Sequence, residues 1–204
     1  MKIFAFYIDS SACSGCKTCQ AACKDKNDLD PGVNWRRIYD IQGGDWEEKD
    51  GVFTAHPYSY FLSVSCMNCE NPLCVSACPT RALYEDERGI IDINSDLCMG
   101  CRYCEWACPY GAPQYDPKLR IVTKCNLCSD YISEGLKPSC VSSCPMRALD
   151  FGTFEEITAK YGTLSRVYPL PDPSLTGPGL VIKPHSHAAR AEKDSAAITN
   201  REDI

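Results

Sequence analysis

A mixed α+β fold in two nested halves, organised by cysteines more than by a large apolar core, is predicted by three features of this 204-residue sequence. Sixteen cysteines fall into four groups of four, with none left over. A proline directly follows the last cysteine of three groups. The residues flanking the groups also repeat in order along the chain, which marks an internal duplication.

The first group is Cys13, Cys16, Cys19 and Cys23, and the third is Cys98, Cys101, Cys104 and Cys108. Both follow the C-x2-C-x2-C-x3-C spacing of bacterial two-cluster ferredoxins. Cys66, Cys69, Cys74 and Cys78 form the second group, and Cys125, Cys128, Cys140 and Cys144 the fourth, with longer gaps. Two-residue gaps let a tight loop wrap a cuboidal cluster while backbone N–H groups point at its sulfurs. The fourth cysteine leaves on a short helix and serves a neighbouring cluster. Proline has no N–H and stops that helix, sending the chain off as a strand. Lys24 replaces that proline in group one, so its helix is predicted to continue through KDKNDL. Disulfides need an oxidising compartment and a geometry that such dense C-x-x-C runs rarely meet. Zinc ribbons pair two knuckles and have no use for a third and fourth cysteine in one run. Iron–sulfur clusters use the whole pattern.

Spacing alone leaves open whether group three pairs with group two or with group four. The flanks decide. CPTRAL after group two matches CPMRAL after group four, and SDLCMGC before group three resembles SSACSGC before group one. The stretch CPTRALYEDERGIIDINSDLC runs from a group-two exit through a strand, a turn and a strand into group three. Groups two and three therefore form one ferredoxin-like unit, and one and four form another, split open by it. Exchanging fourth cysteines within each pair gives four expected 4Fe–4S ligand sets. Cluster one takes Cys13, Cys16, Cys19 and Cys144; cluster two takes Cys23, Cys125, Cys128 and Cys140. Cluster three takes Cys66, Cys69, Cys74 and Cys108; cluster four takes Cys78, Cys98, Cys101 and Cys104. The expected units are 1–24 plus 125–164 (outer), a β-rich insertion at 25–65, 66–124 (inner), and an extended docking tail at 165–204.

A net charge of −6, counting cysteines as neutral, argues against a nucleic-acid partner. No apolar run nears the roughly 18 residues that span a membrane, and MKIFAFYIDSSAC lacks a signal-peptide pattern. A soluble chain is expected, with any membrane link made through a partner. G-x-G-x-x-G and P-loop patterns are missing, so no directly bound small-molecule substrate and no catalytic residues are expected. Lys17, Lys24, Arg81, Arg102, Lys124 and Arg147 stand in or beside the loops, as surface charge or as a set that raises reduction potentials. The insertion carries Trp35, Tyr39, Trp46, Phe53, Tyr58, Tyr60 and Phe61, mostly core, with a turn expected at QGGD. His56 is assigned to an inserted hairpin, and His185 and His187 to a solvated tail. Residues 165–184 are expected to lie extended along a partner, and the last twenty residues to be disordered.

With GGDW, GCRYCEWACPYGAPQYD and KPSCVSSCPMRALDFG in this order, residues 5 to 184 resemble the iron–sulfur subunits of bacterial molybdenum oxidoreductases, within them the family of dimethyl sulfoxide reductase B subunits. The resemblance implies four 4Fe–4S clusters, since Cys101 stands where nitrate reductase relatives carry tryptophan and a three-iron cluster. It also supports the pairing of the groups. It implies a non-catalytic electron-transfer subunit between a molybdopterin catalytic subunit, beside cluster one, and a membrane anchor that oxidises quinol, beside cluster four. Dimethyl sulfoxide or an N-oxide is the implied terminal substrate. The equivalent subunit of a formate, thiosulfate, polysulfide or tetrathionate enzyme is the alternative, and a zinc-stabilised interaction protein a remote one. The implied place is the bacterial cytoplasmic membrane, on the periplasmic face by export with a twin-arginine-tagged partner, with the cytoplasmic face left open.

Overall fold

Strand β1 (Phe4–Asp9) is apolar up to its last residue and buried through its four middle residues, as the middle strand of a sheet requires. The structure is a computed structural model that describes residues 4–192 and 196–201. After the first cysteine loop, α1 (Thr18–Asn27) runs a full turn past Cys23, as the lysine in place of proline predicts. Next, β2 (Arg37–Lys49) and β3 (Val52–Val64) pair antiparallel over thirteen residues each.

That hairpin turns at Asp50–Gly51, whose φ values of 54° and 77° suit a two-residue turn of type I′. The turn expected at QGGD is absent, because Gly43 and Gly44 lie within β2. This double glycine provides close approach instead of a reversal. A Cβ on Gly43 would meet the Tyr58 hydroxyl at 2.5 Å, and one on Gly44 the His56 carbonyl oxygen at 2.8 Å. Tyr58 and Tyr60 are buried, and Trp35, Tyr39 and Phe61 pack against the core. Trp46 (72 % exposed) and Phe53 (63 %) stand out at the hairpin's tip, so the expectation of core holds for most of the aromatics.

The next four helices are each about one turn long, and three end just ahead of a cysteine–proline pair. Helix α2 (Leu73–Ser76) precedes Cys78–Pro79 and the hairpin of β4 (Leu83–Glu85) and β5 (Ile91–Ile93). Helix α3 (Tyr103–Ala107) precedes Cys108–Pro109 and the hairpin of β6 (Gln114–Asp116) and β7 (Ile121–Thr123). Helices α4 (Ser129–Ser133) and α5 (Ser139–Ser142) precede Cys144–Pro145 and β8 (Leu149–Thr153). Helix α1 packs beside α5, with the Ser139 hydroxyl donating to the Ala22 carbonyl at 3.2 Å, and α2 packs beside α3.

Strand β8 pairs antiparallel with β1, and α6 (Phe154–Tyr161) then covers the sheet, its start closed by a capping box of Thr153 and Glu156. Asp150 accepts from Lys137 (2.5 Å), Tyr161 (2.7 Å) and Lys160 (3.0 Å). Burial works against its charge, but these three donors outweigh it and hold the carboxyl well below its usual range. A lowered folded-state value means the contribution is complete above the unfolded pKa of about 3.9 and fades as pH falls through the lower value. Asp150→Asn is therefore expected to cost about 2 kcal/mol at pH 7, measured by thermal unfolding.

The tail corrects two expectations. Residues 165–184 do not lie unpaired awaiting a partner: β9 (Leu180–Lys183) joins the free edge of β1 in parallel, giving the order β8-β1-β9. Pairing there satisfies ladder groups of a buried strand that nothing else in the described residues reaches. The end of the chain packs as well. Helix α7 (Ala188–Ala191) buries Ala188 and Ala191, and β10 (Ala197–Ile198) extends the β2–β3 sheet. His185 and His187 stack on Tyr60 and Tyr58 at 5.4 and 5.2 Å instead of lying in solvent. Small alanines and flat rings fit a strand face that a polar composition conceals. Residues 193–195 and 202–204, part of the segment expected to be disordered, lie outside the described residues.

Candidate metal centre

All four cysteine loops share one backbone device. The residue just before the second cysteine has positive φ in each: Gly15 (70°), Asn68 (44°), Gly100 (70°) and Leu127 (61°). This left-handed step curls the loop so that an N–H two residues on faces the first sulfur. Cys125 Sγ accepts from the Leu127 N–H at 3.4 Å, and Cys13 has the same partner in Gly15. Successive N–H groups in such a curl form an anion-binding concavity. Glycine is required where space is also short: a Cβ on Gly100 would run into the Arg120 carbonyl oxygen.

The folded chain brings the groups together. Cys13, Cys16, Cys19 and Cys144 line one recess of about 310 Å³. Cys66, Cys69, Cys74 and Cys108 line another of about 300 Å³. Cys23 lies among Cys125, Cys140 and Cys128, and Cys104 lies by Cys78 and Cys98, with Cys101 in the same loop. Seven of the sixteen cysteines are buried, and Cys19, Cys66, Cys125 and Cys140 belong to the main hydrophobic core. Burial pushes several thiols up, Cys13 and Cys104 to about 11 and Cys74 to about 12, with neighbouring thiols adding to it, while at Cys16 and, despite burial, at Cys78 hydrogen bonds hold the thiol below its usual range. Thiols raised by burial become thiolates only when a cationic centre compensates them.

The buried cations point the same way. Arg36 is 1 % exposed and lies over the Phe6 ring at 4.5 Å. Its Nη1 donates to Ser63 Oγ at 3.0 Å, while Nε and Nη2 are buried with no partner among the described residues. Arg37 donates to the carbonyls of Gly111 (2.6 Å) and Tyr110 (2.7 Å), and its charge lowers the Cys108 thiol against the larger effect of burial. Lys124 is buried in the Cys66–Cys108 recess and donates to the carbonyls of Ile91 and Cys125. Of the other basic residues noted in the sequence, Lys17, Arg81, Arg102 and Arg147 are exposed, and Lys24 ties down the Asp30 and Val33 carbonyls. Arg36 and Arg37 escape a reading centred on the cysteine loops. Their one signal is a double arginine at the start of a strand whose first residues include the apolar Ile38, Tyr39 and Ile41.

Residues 57–154 match the 4Fe-4S dicluster domain family, a span holding groups two to four. The sulfur sets, curled N–H groups and orphaned arginine nitrogens suit an anionic cluster of this kind. Over 98 % of both chains, the sequence is 47 % identical to the B subunit of anaerobic dimethyl sulfoxide reductase from Escherichia coli (strain K12). The chain belongs to the family of anaerobic dimethyl sulfoxide reductase B subunits. It is 43 % identical to the Haemophilus influenzae member over the whole of both chains. It is also 40 % identical, over 72 % of its length and 74 % of the other's, to the thiosulfate reductase electron transfer subunit PhsB of Salmonella typhi. As a member of that family the protein is an iron–sulfur electron-transfer subunit and not a catalytic chain. Among the described residues no helix is long and apolar enough to cross a membrane.

Proposed function

We propose that the chain carries four 4Fe–4S clusters and relays electrons from a membrane subunit that oxidises quinol to a molybdopterin catalytic subunit that reduces dimethyl sulfoxide or an N-oxide. The observation that carries this reading is the gathering of sulfurs from distant groups: Cys144 at the Cys13–Cys19 loop and Cys108 at the Cys66–Cys74 loop. Both are fourth cysteines serving the partner group. The ligand sets are Cys13, Cys16, Cys19 and Cys144; Cys23, Cys125, Cys128 and Cys140; Cys66, Cys69, Cys74 and Cys108; and Cys78, Cys98, Cys101 and Cys104. The packing of α1 on α5 and of α2 on α3 supports two nested units that each exchange a cysteine.

When bound, the clusters would supply one-electron redox centres that act in series. The protein's own residues do the rest. The loops aim sulfurs inward, the short helices carry a ligand across to the next set, and the core buries seven of the sixteen cysteines. Cys66 and Cys125 share the main hydrophobic core, and Cys66 adds to burial in raising the Cys125 thiol, which supports contact between the two units at the second and third sets. The order along the path is then one, two, three, four. Around the fourth set Leu97, Met99, Tyr103, Trp106 and Leu119 are exposed, an apolar face suited to the membrane partner. The peripheral position, on the periplasmic face, rests on the family's organisation.

Anaerobic purification from the native host tests this. A complex with a molybdopterin subunit and a membrane subunit, in which quinol drives reduction of dimethyl sulfoxide, is expected. A complex that reduces thiosulfate but no S-oxide or N-oxide would replace the substrate assignment.

A further inference from the structure

Arg36 is a charged side chain in the core whose donors go largely unused. Guanidinium offers five N–H donors, yet one nitrogen is bonded, to Ser63, and Nε and Nη2 meet no partner among the described residues. Removing one unpaired charge from water costs several kcal/mol, so a chain keeps such a group only where something opposite in sign lies against it. The Phe6 ring lies 4.5 Å from the guanidinium carbon but accepts no N–H bond of ordinary strength. The groups whose charge favours the arginine cation, against the larger effect of burial, are Cys140, Cys19, Cys125 and Cys23. Three of these belong to the second ligand set and Cys19 to the first. Ser63 completes the link: its Oγ lies 3.5 Å from Cys19 Sγ.

We propose that Arg36 is the electrostatic bridge between the first two clusters, held to Cys19 through Ser63 on one side and facing the second sulfur set on the other, and that it raises the reduction potential of both. The inference rests on the ligand sets proposed above. Reduction adds one electron to a centre without making or breaking a bond, and a fixed positive charge nearby favours the more negative product. Arginine keeps its proton at any working pH, so this contribution brings no proton uptake with it. The exposed Lys17, Arg81, Arg102 and Arg147 lie in water, where the same charge is heavily screened. Arg36 is thus a positioning and tuning residue, not a ligand.

Redox titration of the purified complex, followed by EPR, tests it, with the cluster-one signal assigned through Cys144→Ser. Arg36→Met is expected to make reduction of clusters one and two at least tenfold less favourable, about 59 mV for a one-electron couple. Clusters three and four should not move, and Arg36→Lys should restore most of the shift. If Arg36→Met loses iron, Arg36→Gln removes the charge while keeping a donor for Ser63 and carries the same expectation. Unmoved potentials at full iron content would overturn the bridge, as would an equal shift in all four clusters. Wild-type complex whose EPR shows no separate cluster on the Cys13 loop would instead overturn the ligand sets.

Discussion

Cys144→Ser is expected to destroy or convert the cluster held by the Cys13 loop, although Cys144 lies 125 residues further along the chain than Cys19 (144 − 19). Both cysteines line the same recess, together with Cys13 and Cys16. An oxygen ligand is harder than thiolate and suits iron–sulfur chemistry poorly. The first cluster's EPR signal should vanish or move by more than about 59 mV, tenfold in a one-electron equilibrium. The signals of the other three should keep their potentials. If the only change is in the cluster bound by Cys125, Cys128 and Cys140, the exchange of fourth cysteines does not operate here.

Removing iron should unfold most of the chain. Among the described residues five of the α-helices have only four or five residues, and two of the sheets are pairs of three-residue strands. Helices so short and hairpins so small are marginal on their own in water. Their apolar contacts converge on sulfur: Leu83, Ile91 and Val122 form one small core with Cys104, beside Cys74, Cys78 and Cys98. Metal binding then supplies folding free energy directly, on a scale comparable with the roughly 5–15 kcal/mol stability of a whole domain. Anaerobic treatment with an iron chelator is expected to abolish the cooperative thermal transition and most near-ultraviolet circular dichroism. Retention of a sharp transition in iron-free protein would mean that the β1–β8–β9 sheet and the long hairpin hold the fold unaided.

Much of the site is visible in the sequence because cysteine spacing is a direct record of cluster geometry. Proline after Cys78, Cys108 and Cys144 marks where each helix gives way to a strand, and Lys24 marks the exception. DERG likewise marks the turn between β4 and β5, where Asp86 accepts from the Arg88 and Ile90 N–H groups. What stayed hidden depends on contacts between distant residues. Gly43–Gly44 has the local signature of a turn, but the cross-strand Tyr58 claims the space those glycines leave. The proline-rich tail looks unpaired until β1 is seen to have a vacant edge, which β9 fills. His185 and His187 look solvated until Tyr60 and Tyr58 offer ring faces. Arg36 is the most consequential omission. A buried cation has no periodic or motif signature, and its role follows only from its unused donors and the sulfurs around it.

The central claim is that this one chain holds four 4Fe–4S clusters in electronic contact. Metal and acid-labile sulfide analysis of anaerobically purified complex, combined with EPR of the fully reduced sample, tests it most directly. About sixteen irons and sixteen sulfides per chain, four of each per cluster, with a spectrum broadened by magnetic interaction between neighbours, is the predicted result. Four zinc ions without sulfide, or iron sufficient for two clusters and a single uncoupled signal, would contradict it.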